Sequence, residues 1–219
     1  MERTKWIIEK RKKAEERYDT IFSSDYDDKW GYIEEEHEKL VKEFIEMLPD
    51  NGHVLDAACG TGKYWNILRS YNLRVKGIDQ SYQMLSKAGS KCKEYEIEKM
   101  GLQDIKEVNK YNGIMCVDAL ENIFPEDWVK VIRNFYNALK NEGILYFTVE
   151  TISKQEKDEA FAIGKELGLP IAYGEVAHEG GYHYYPEIKY VKNTLENEHF
   201  TIVKESVSEG YHHFLVNKR

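Results

Sequence analysis

Residues 54–64 read Val-Leu-Asp-Ala-Ala-Cys-Gly-Thr-Gly-Lys-Tyr, a short apolar run that ends in an acid and turns through two glycines into the helical pattern Trp65-Asn66-Ile67-Leu68-Arg69. A buried strand followed at once by a glycine turn and a helix is the opening unit of an α/β sheet. Gly60 and Gly62 let the backbone pass close to a ligand at the carboxyl end of that strand. Asp56 puts a negative charge beside the same turn, so the ligand should carry a positive group. Two other glycine loops fail on residue identity. A dinucleotide fingerprint requires Gly or Ala where Trp65 stands, and a phosphate-cradling loop requires Ser or Thr where Tyr64 follows Lys63.

The acids continue downstream. Arg74 to Asp79 reads as a second buried strand ending in an acid, followed by a helix through Met84 and Leu85. A carboxylate in that position can accept hydrogen bonds from both hydroxyls of a ribose. The competing role, a helix N-cap, is served at least as well by Ser81. After a short strand at Tyr95 to Met100, Asp104 can accept from the exocyclic amine of adenine, with Ile105 beside the ring. Tyr111 to Asp118 is another strand with an acid at its end, leading into Ala119 to Ile123. Strands and helices alternate through Val149, which implies a parallel sheet with right-handed crossovers. Ligands of such sheets lie at the carboxyl ends of the strands, where Asp56, Asp79 and Asp118 are predicted to fall.

On these residues the chain resembles the class I S-adenosylmethionine-dependent methyltransferases, especially the small-molecule branch with type 11 or type 25 methyltransferase domains. The resemblance spans roughly residues 35 to 150 plus the terminal strands, and its most specific part is Asp-x-x-Cys-Gly-Thr-Gly at 56–62, reinforced by Asp79. It implies an α/β, Rossmann-like class I methyltransferase fold: a seven-stranded, mostly parallel sheet with helices on both faces and the last strand antiparallel. It also implies S-adenosyl-L-methionine as cofactor. Asp56 and the backbone from Gly60 to Gly62 would hold the methionine end, Asp79 the ribose, and Gln103, Asp104 and Ile105 the adenine. Ala57, Gln80, Met84, Val117 and Asp118 complete the implied cofactor site. Where the family often has Gly two residues after the first acid, this chain has Ala58.

Composition fits one domain. With 219 residues, 42% of them hydrophobic, the chain can bury one sizeable core. The expected organisation is a single methyltransferase domain over 1–219: an N-terminal helical cap (1–48), a cofactor-binding half (49–150), a substrate lid (151–186), and a C-terminal helix and hairpin (187–219). Cys59, Cys92 and Cys116 have no metal-type spacing and read as reduced thiols, from which a cytoplasmic setting is expected. No signal-like stretch or membrane-length apolar run is present, so no membrane partner is expected. A formal charge of −8 argues against a nucleic acid held by phosphate contacts.

Residues 150–186 exceed an ordinary connection in length and carry Tyr182-His183-Tyr184-Tyr185 beside Gly180-Gly181. Such a segment suits a lid that selects a flat, partly polar substrate and excludes water. His178 and His183 are the candidate general bases, because neutral imidazole is available near pH 7. Candidate substrate contacts are Tyr18, Tyr182, Tyr184, Tyr211 and His213, while Tyr26 and Trp30 can cover a sulfonium by cation–π attraction. Alternation sends His212 and His213 to opposite faces of their strand. The expected reaction moves a methyl group to oxygen or nitrogen of a small, aromatic or heterocyclic acceptor, in a monomer or homodimer with no bound metal. Two alternatives stay open: a non-catalytic cofactor-binding regulatory or interaction module, and a metal-assisted enzyme built on His178, His183, His212 or His213 with Glu179.

Overall fold

The computed structural model describes residues 2–22, 24–177, 181–208 and 210–219. His178 and Glu179, named above as a base candidate and a metal ligand, therefore lie outside the described residues.

The central feature is a seven-stranded sheet. Its strands are β1 (His53–Ala57), β2 (Arg74–Asp79), β3 (Glu96–Lys99), β4 (Tyr111–Cys116), β5 (Leu139–Glu150), β8 (Phe200–Ser208) and β9 (Tyr211–Lys218), in spatial order β3-β2-β1-β4-β5-β9-β8. β1 pairs in parallel with β2 and β4, and β4 with β5, whereas β9 runs antiparallel to both β5 and β8. The strand order reverses about β1, and the crevice between β1 and β4 is where a doubly wound sheet accepts a ligand.

Strand alternation divides the apolar side chains between two cores. Leu55, Ala57, Ile114, Cys116, Leu145 and Phe147 point to one face and meet Trp128, Val131, Ile132 and Phe135 of α6 (Pro125–Ala138) and Val191 and Leu195 of α8 (Ile188–Asn197). Val54, Met115, Ile144 and Tyr146 point to the other. There they meet Leu40, Val41 and Phe44 of α3 (Glu35–Glu46), Trp65 and Leu68 of α4 (Trp65–Arg69), and Leu85 and Ala88 of α5 (Tyr82–Lys91). Helices thus cover both faces, as the family resemblance implies.

α3 begins at Glu35, with Glu34 at its N-cap position. Its first turn carries Glu35, Glu36 and Glu38, where carboxylates complement the helix dipole. The N-terminal segment is more structured than its mixed composition suggests. α1 (Arg3–Arg17) runs into a single π-helical turn, Tyr18–Phe22, and then α2 (Tyr26–Trp30). Polar contacts strap this segment across the carboxyl edge of the sheet. Asp19 accepts from Ser81 Oγ at 2.5 Å and from the backbone N–H of Gln83 at 3.2 Å. Asp27 accepts from Thr61 Oγ1 at 2.5 Å and pairs with Lys91 at 2.8 Å, while Glu15 pairs with Lys99 at 2.6 Å.

The segment after β5 consists of α7 (Lys154–Glu166), opened by a capping box between Ser153 and Glu156, and a ribbon of β6 (Glu175–Val176) with β7 (His183–Tyr184). α1 closes on it through a small apolar cluster of Trp6, Ile7, Phe124, Ile171, Ala177 and Tyr182. Arg3 completes the join with hydrogen bonds to Glu126 and to the buried Glu175.

Candidate functional site

The glycine turn after β1 has the geometry its composition suggests. Gly60 and Gly62 both adopt positive φ, +54° and +74°, and a Cβ on Gly62 would stand 2.8 Å from the Trp65 ring. Ala58 is also left-handed, at φ +63°. That conformation costs an L-residue about 1 kcal/mol, which explains why glycine suits the position. Asp56 is buried behind the turn and accepts from the Trp65 indole Nε1 at 2.7 Å. Burial, reinforced by Asp79, pushes its carboxyl up to about 7 against the pull of that indole bond.

Asp79 sits at the end of β2 with each oxygen already committed once: Oδ2 accepts from Gly60 N–H at 2.9 Å and Oδ1 from Ser81 N–H at 2.8 Å. Each retains acceptor capacity for a further donor. Ser81, not Asp79, caps α5, its hydroxyl accepting from Met84 N–H at 3.2 Å. The strand-end acid is therefore left to face a cavity. Burial raises it to about 6 despite the backbone bonds.

That cavity holds about 640 Å³ of empty space, its open mouth included. Tyr26, Gly60, Asp79, Gln80, Met84, Gln103 and Asp118 of the anticipated cofactor residues line it, and Tyr18, expected on the substrate side, lines it too. Met84, Met100, Leu102 and Ile123 give it an apolar bed for a flat base. Several anticipated residues lie elsewhere. Asp56 and Ala57 are buried in and behind β1, Gly62 packs against Trp65, and Ile105 and Val117 belong to the two cores. Asp104 is exposed at the end of a one-turn helix, Leu102–Asp104, and does not reach the wall. Gln103 and the backbone turn from Gly101 do.

A second, larger cavity of about 1350 Å³, again including its open mouth, shares Tyr18, Tyr26, Asp118 and Asn122 with the first. Its walls include Phe22, Trp30, Tyr182, His183 and Tyr211, so Trp30 faces this chamber and not the first. Tyr184 packs edge-on to Trp128 and joins the core. His213 is buried beneath the chamber, bonded to Tyr146 OH at 3.1 Å and Ser208 Oγ at 2.7 Å. Burial, with the neighbouring His37, lowers it to about 4 and keeps it neutral. His212 turns to the opposite face and meets Glu205 at 2.9 Å. His183 Nδ1 lies 3.2 Å from Glu150 Oε2 and 3.0 Å from Tyr185 OH.

Of the chamber's acids, sequence reading anticipated Asp118 and missed Glu34, Glu121 and Glu150. Asp118 is held by His37 at 3.2 Å and Lys63 at 3.6 Å, and these partners outweigh burial and keep it below the usual carboxylate range. Glu34, Glu121 and Glu150 complete the set. The available signal was Glu121 itself, an acid among the apolar residues Ala119, Leu120 and Ile123 directly after a strand. Among the described residues, no three His, Cys, Asp or Glu side chains come together as a metal-ligating group. No helix among them is long and apolar enough to cross a membrane.

This strand order, with a strand-end acid and a glycine turn facing one cavity, is the fold of the class I S-adenosylmethionine-dependent methyltransferases. Residues 54–143 match the family model described as a methyltransferase domain. A Bacillus subtilis (strain 168) protein, YqeM, named only provisionally as a methyltransferase, is 31% identical over 64% of this chain and 60% of its own length. The glycine/sarcosine N-methyltransferase of Aphanothece halophytica is 28% identical over 59% of this chain and 54% of its own. The chain thus spans less than two thirds of either relative. Magnesium protoporphyrin IX methyltransferase from Synechocystis PCC 6803, solved with bound S-adenosylhomocysteine, has the same fold at a TM-score of 0.70 and 15% identity, covering 96% of this chain and all of the other. The cofactor of the class is S-adenosylmethionine, and the first cavity fits it. Asp79 offers acceptors for a diol, the apolar bed suits a purine, and the rings of Tyr18 and Tyr26 stand where a cationic end would reach the second chamber.

Proposed function

We propose that this chain transfers a methyl group from S-adenosylmethionine to an oxygen or nitrogen of a small aromatic or heterocyclic molecule held in the second chamber. The observation that carries this reading is the shared wall: Tyr18, Tyr26, Asp118 and Asn122 border both cavities, so a donor in one meets an acceptor in the other. When bound, the cofactor supplies an electrophilic methyl on a sulfonium. The protein's own residues align the acceptor, exclude water and handle a proton. Alignment is the larger contribution, since effective molarity can supply about 7–11 kcal/mol, whereas a general base adds about 10²- to 10⁴-fold. His183 supports a role as that base through its position on the chamber wall, with Glu150 and Tyr185 orienting its ring.

The first test is calorimetric titration with S-adenosylmethionine and S-adenosylhomocysteine, with and without chelator. Saturable, chelator-insensitive binding of both is expected. Absence of binding to a folded sample would overturn the reading. Replacing His183 by alanine should slow turnover of an identified acceptor by about 10²-fold or more while cofactor affinity is nearly unchanged. Loss of cofactor binding instead would place His183 in the other cavity.

A further inference from the structure

The second chamber contains a carboxyl that orientation of a neutral acceptor does not require. Glu121 lies in the one-turn helix Leu120–Asn122 after β4 and is only 7% exposed. Its Oε1 accepts from Asn122 Nδ2 at 2.9 Å, but Oε2 is buried with no hydrogen-bond partner. Leaving a buried carboxyl oxygen unpaired is costly, and a native site sustains that cost where a ligand supplies the missing donor.

The surrounding charges narrow the ligand. The other acids of the wall already have partners: Asp118 has His37 and Lys63, Glu150 has His183, and Glu34 lies 3.5 Å from His37. Of the basic residues on the wall, Lys63 faces Asp118, Lys29 pairs with Asp25 at 2.6 Å, and the Arg17 guanidinium covers the Phe22 ring at 5.0 Å. The rings of Phe22, Tyr26, Trp30 and Tyr211 line the same space. A carboxylate or phosphate entering here would confront Glu34, Asp118, Glu121 and Glu150. An ammonium group would give Glu121 Oε2 its donor and find aromatic faces around it.

We infer that the methyl acceptor is a primary or secondary amine on an aromatic or heterocyclic body, received in its protonated form by Glu121 Oε2. The inference rests on the methyl-transfer reading and names its substrate class. In the balanced step, the ammonium stays hydrogen-bonded to Glu121 Oε2 while another of its N–H protons passes to His183, the base on the same wall, freeing the nitrogen lone pair. That pair forms the new N–C bond as the C–S bond breaks with its electrons left on sulfur. The product leaves as a methylated ammonium, and His183 later loses its proton to solvent.

Before the amine arrives, burial, together with Glu150 and Asp118, pushes the Glu121 carboxyl up to about 8. The groups facing it are those two acids with their partners His183, His37 and Lys63, the phenols of Tyr18, Tyr26, Tyr185 and Tyr211, and the thiol of Cys116. At neutral pH the empty site therefore holds a proton that a docking ammonium expels.

The experiment titrates S-adenosylhomocysteine-loaded protein with tyramine and with 4-ethylphenol, which lacks only the amine, by calorimetry in two buffers of unlike ionisation enthalpy. Tyramine should bind at least about tenfold more tightly and release a proton. Glu121→Gln should abolish both the preference and the proton release while S-adenosylhomocysteine affinity stays within about twofold, a result that loss of folding would not produce. Equal binding, a preference for 4-ethylphenol, no binding of either at millimolar concentration, or a Gln variant that still prefers tyramine would overturn the inference. The wild-type comparison stands even if the variant fails to fold. Failure of S-adenosylhomocysteine itself to bind would instead remove the methyl-transfer reading on which it rests.

Discussion

Asp79→Ala should weaken S-adenosylmethionine binding by about 10²-fold or more, because two charge-assisted hydrogen bonds to a ribose are each worth about 1.5–3 kcal/mol. The fold should survive, since the side chain serves the glycine turn through one bond to Gly60 and α5 through one to Ser81, and Ser81 still caps that helix. The wild-type protein should also show a pH signature. Only the ionised carboxylate accepts from both hydroxyls, and burial together with Asp19 has raised this group to about 6. Affinity therefore falls as pH drops through about 6, and the alanine variant loses that part of the profile. Asp56, still buried behind the turn but no longer raised by the Asp79 charge, remains in the variant and gives the residual dependence, at lower pH than in the parent. Calorimetry from pH 5 to pH 8 on both proteins checks the magnitude and the sign. Unchanged affinity in the variant would remove Asp79 from the ribose.

Gly77→Val should destabilise the domain by more than about 3 kcal/mol. The added Cβ would stand 2.5 Å from Trp65 Cζ2 and 2.8 Å from Cys59 Sγ, inside van der Waals contact on both sides. Overpacking of this kind costs about 1–3 kcal/mol, and displacing the indole also strips Asp56 of its bond, leaving a buried carboxyl unpaired at about 1–3 kcal/mol more. Against a total stability of about 5–15 kcal/mol that is a large loss. Thermal melts should fall by about 10 °C for a chain of this size. Cofactor binding should weaken together with stability, because Trp65 supports Gly62 and Asp56 at once. A melt like that of the parent would mean that Trp65 can swing aside freely.

The parts of the fold that were legible in sequence are those encoded locally. The glycine turn, the acids at strand ends and the alternation of strands and helices each depend on a few adjacent residues, and they gave the parallel part of the sheet and the place of Asp79 at a strand end, while the antiparallel last strand came with the family resemblance. Cavity membership is different, because it depends on which distant segment arrives opposite. Asp104 has the right spacing after β3 but points outward on its one-turn helix, while Gln103 beside it reaches the wall. Trp30 lines the second chamber because the cap folds back over the sheet, anchored by contacts such as Asp19 to Ser81, 62 residues apart. Tyr182 and Tyr184 look alike in sequence. One lines the chamber, and the other packs on Trp128. Glu121 was legible as a residue but not as a role, since its unpaired oxygen is a property of the assembled chamber.

The strap formed by the N-terminal segment has a consequence for how the protein responds to its surroundings. Two of its ties, Lys91 of α5 to Asp27 and Lys99 of β3 to Glu15, are ion pairs between partly exposed side chains. Such pairs contribute about 0–1 kcal/mol each and weaken as the Debye length shortens from about 10 Å at 0.1 M salt to about 3 Å at 1 M. Yet this same segment supplies Tyr18 and Tyr26, the partition between the two chambers. Ionic strength thus acts on the partition and leaves the apolar cores on either face of the sheet intact, so a saline medium loosens the wall between the two chambers before it threatens the fold.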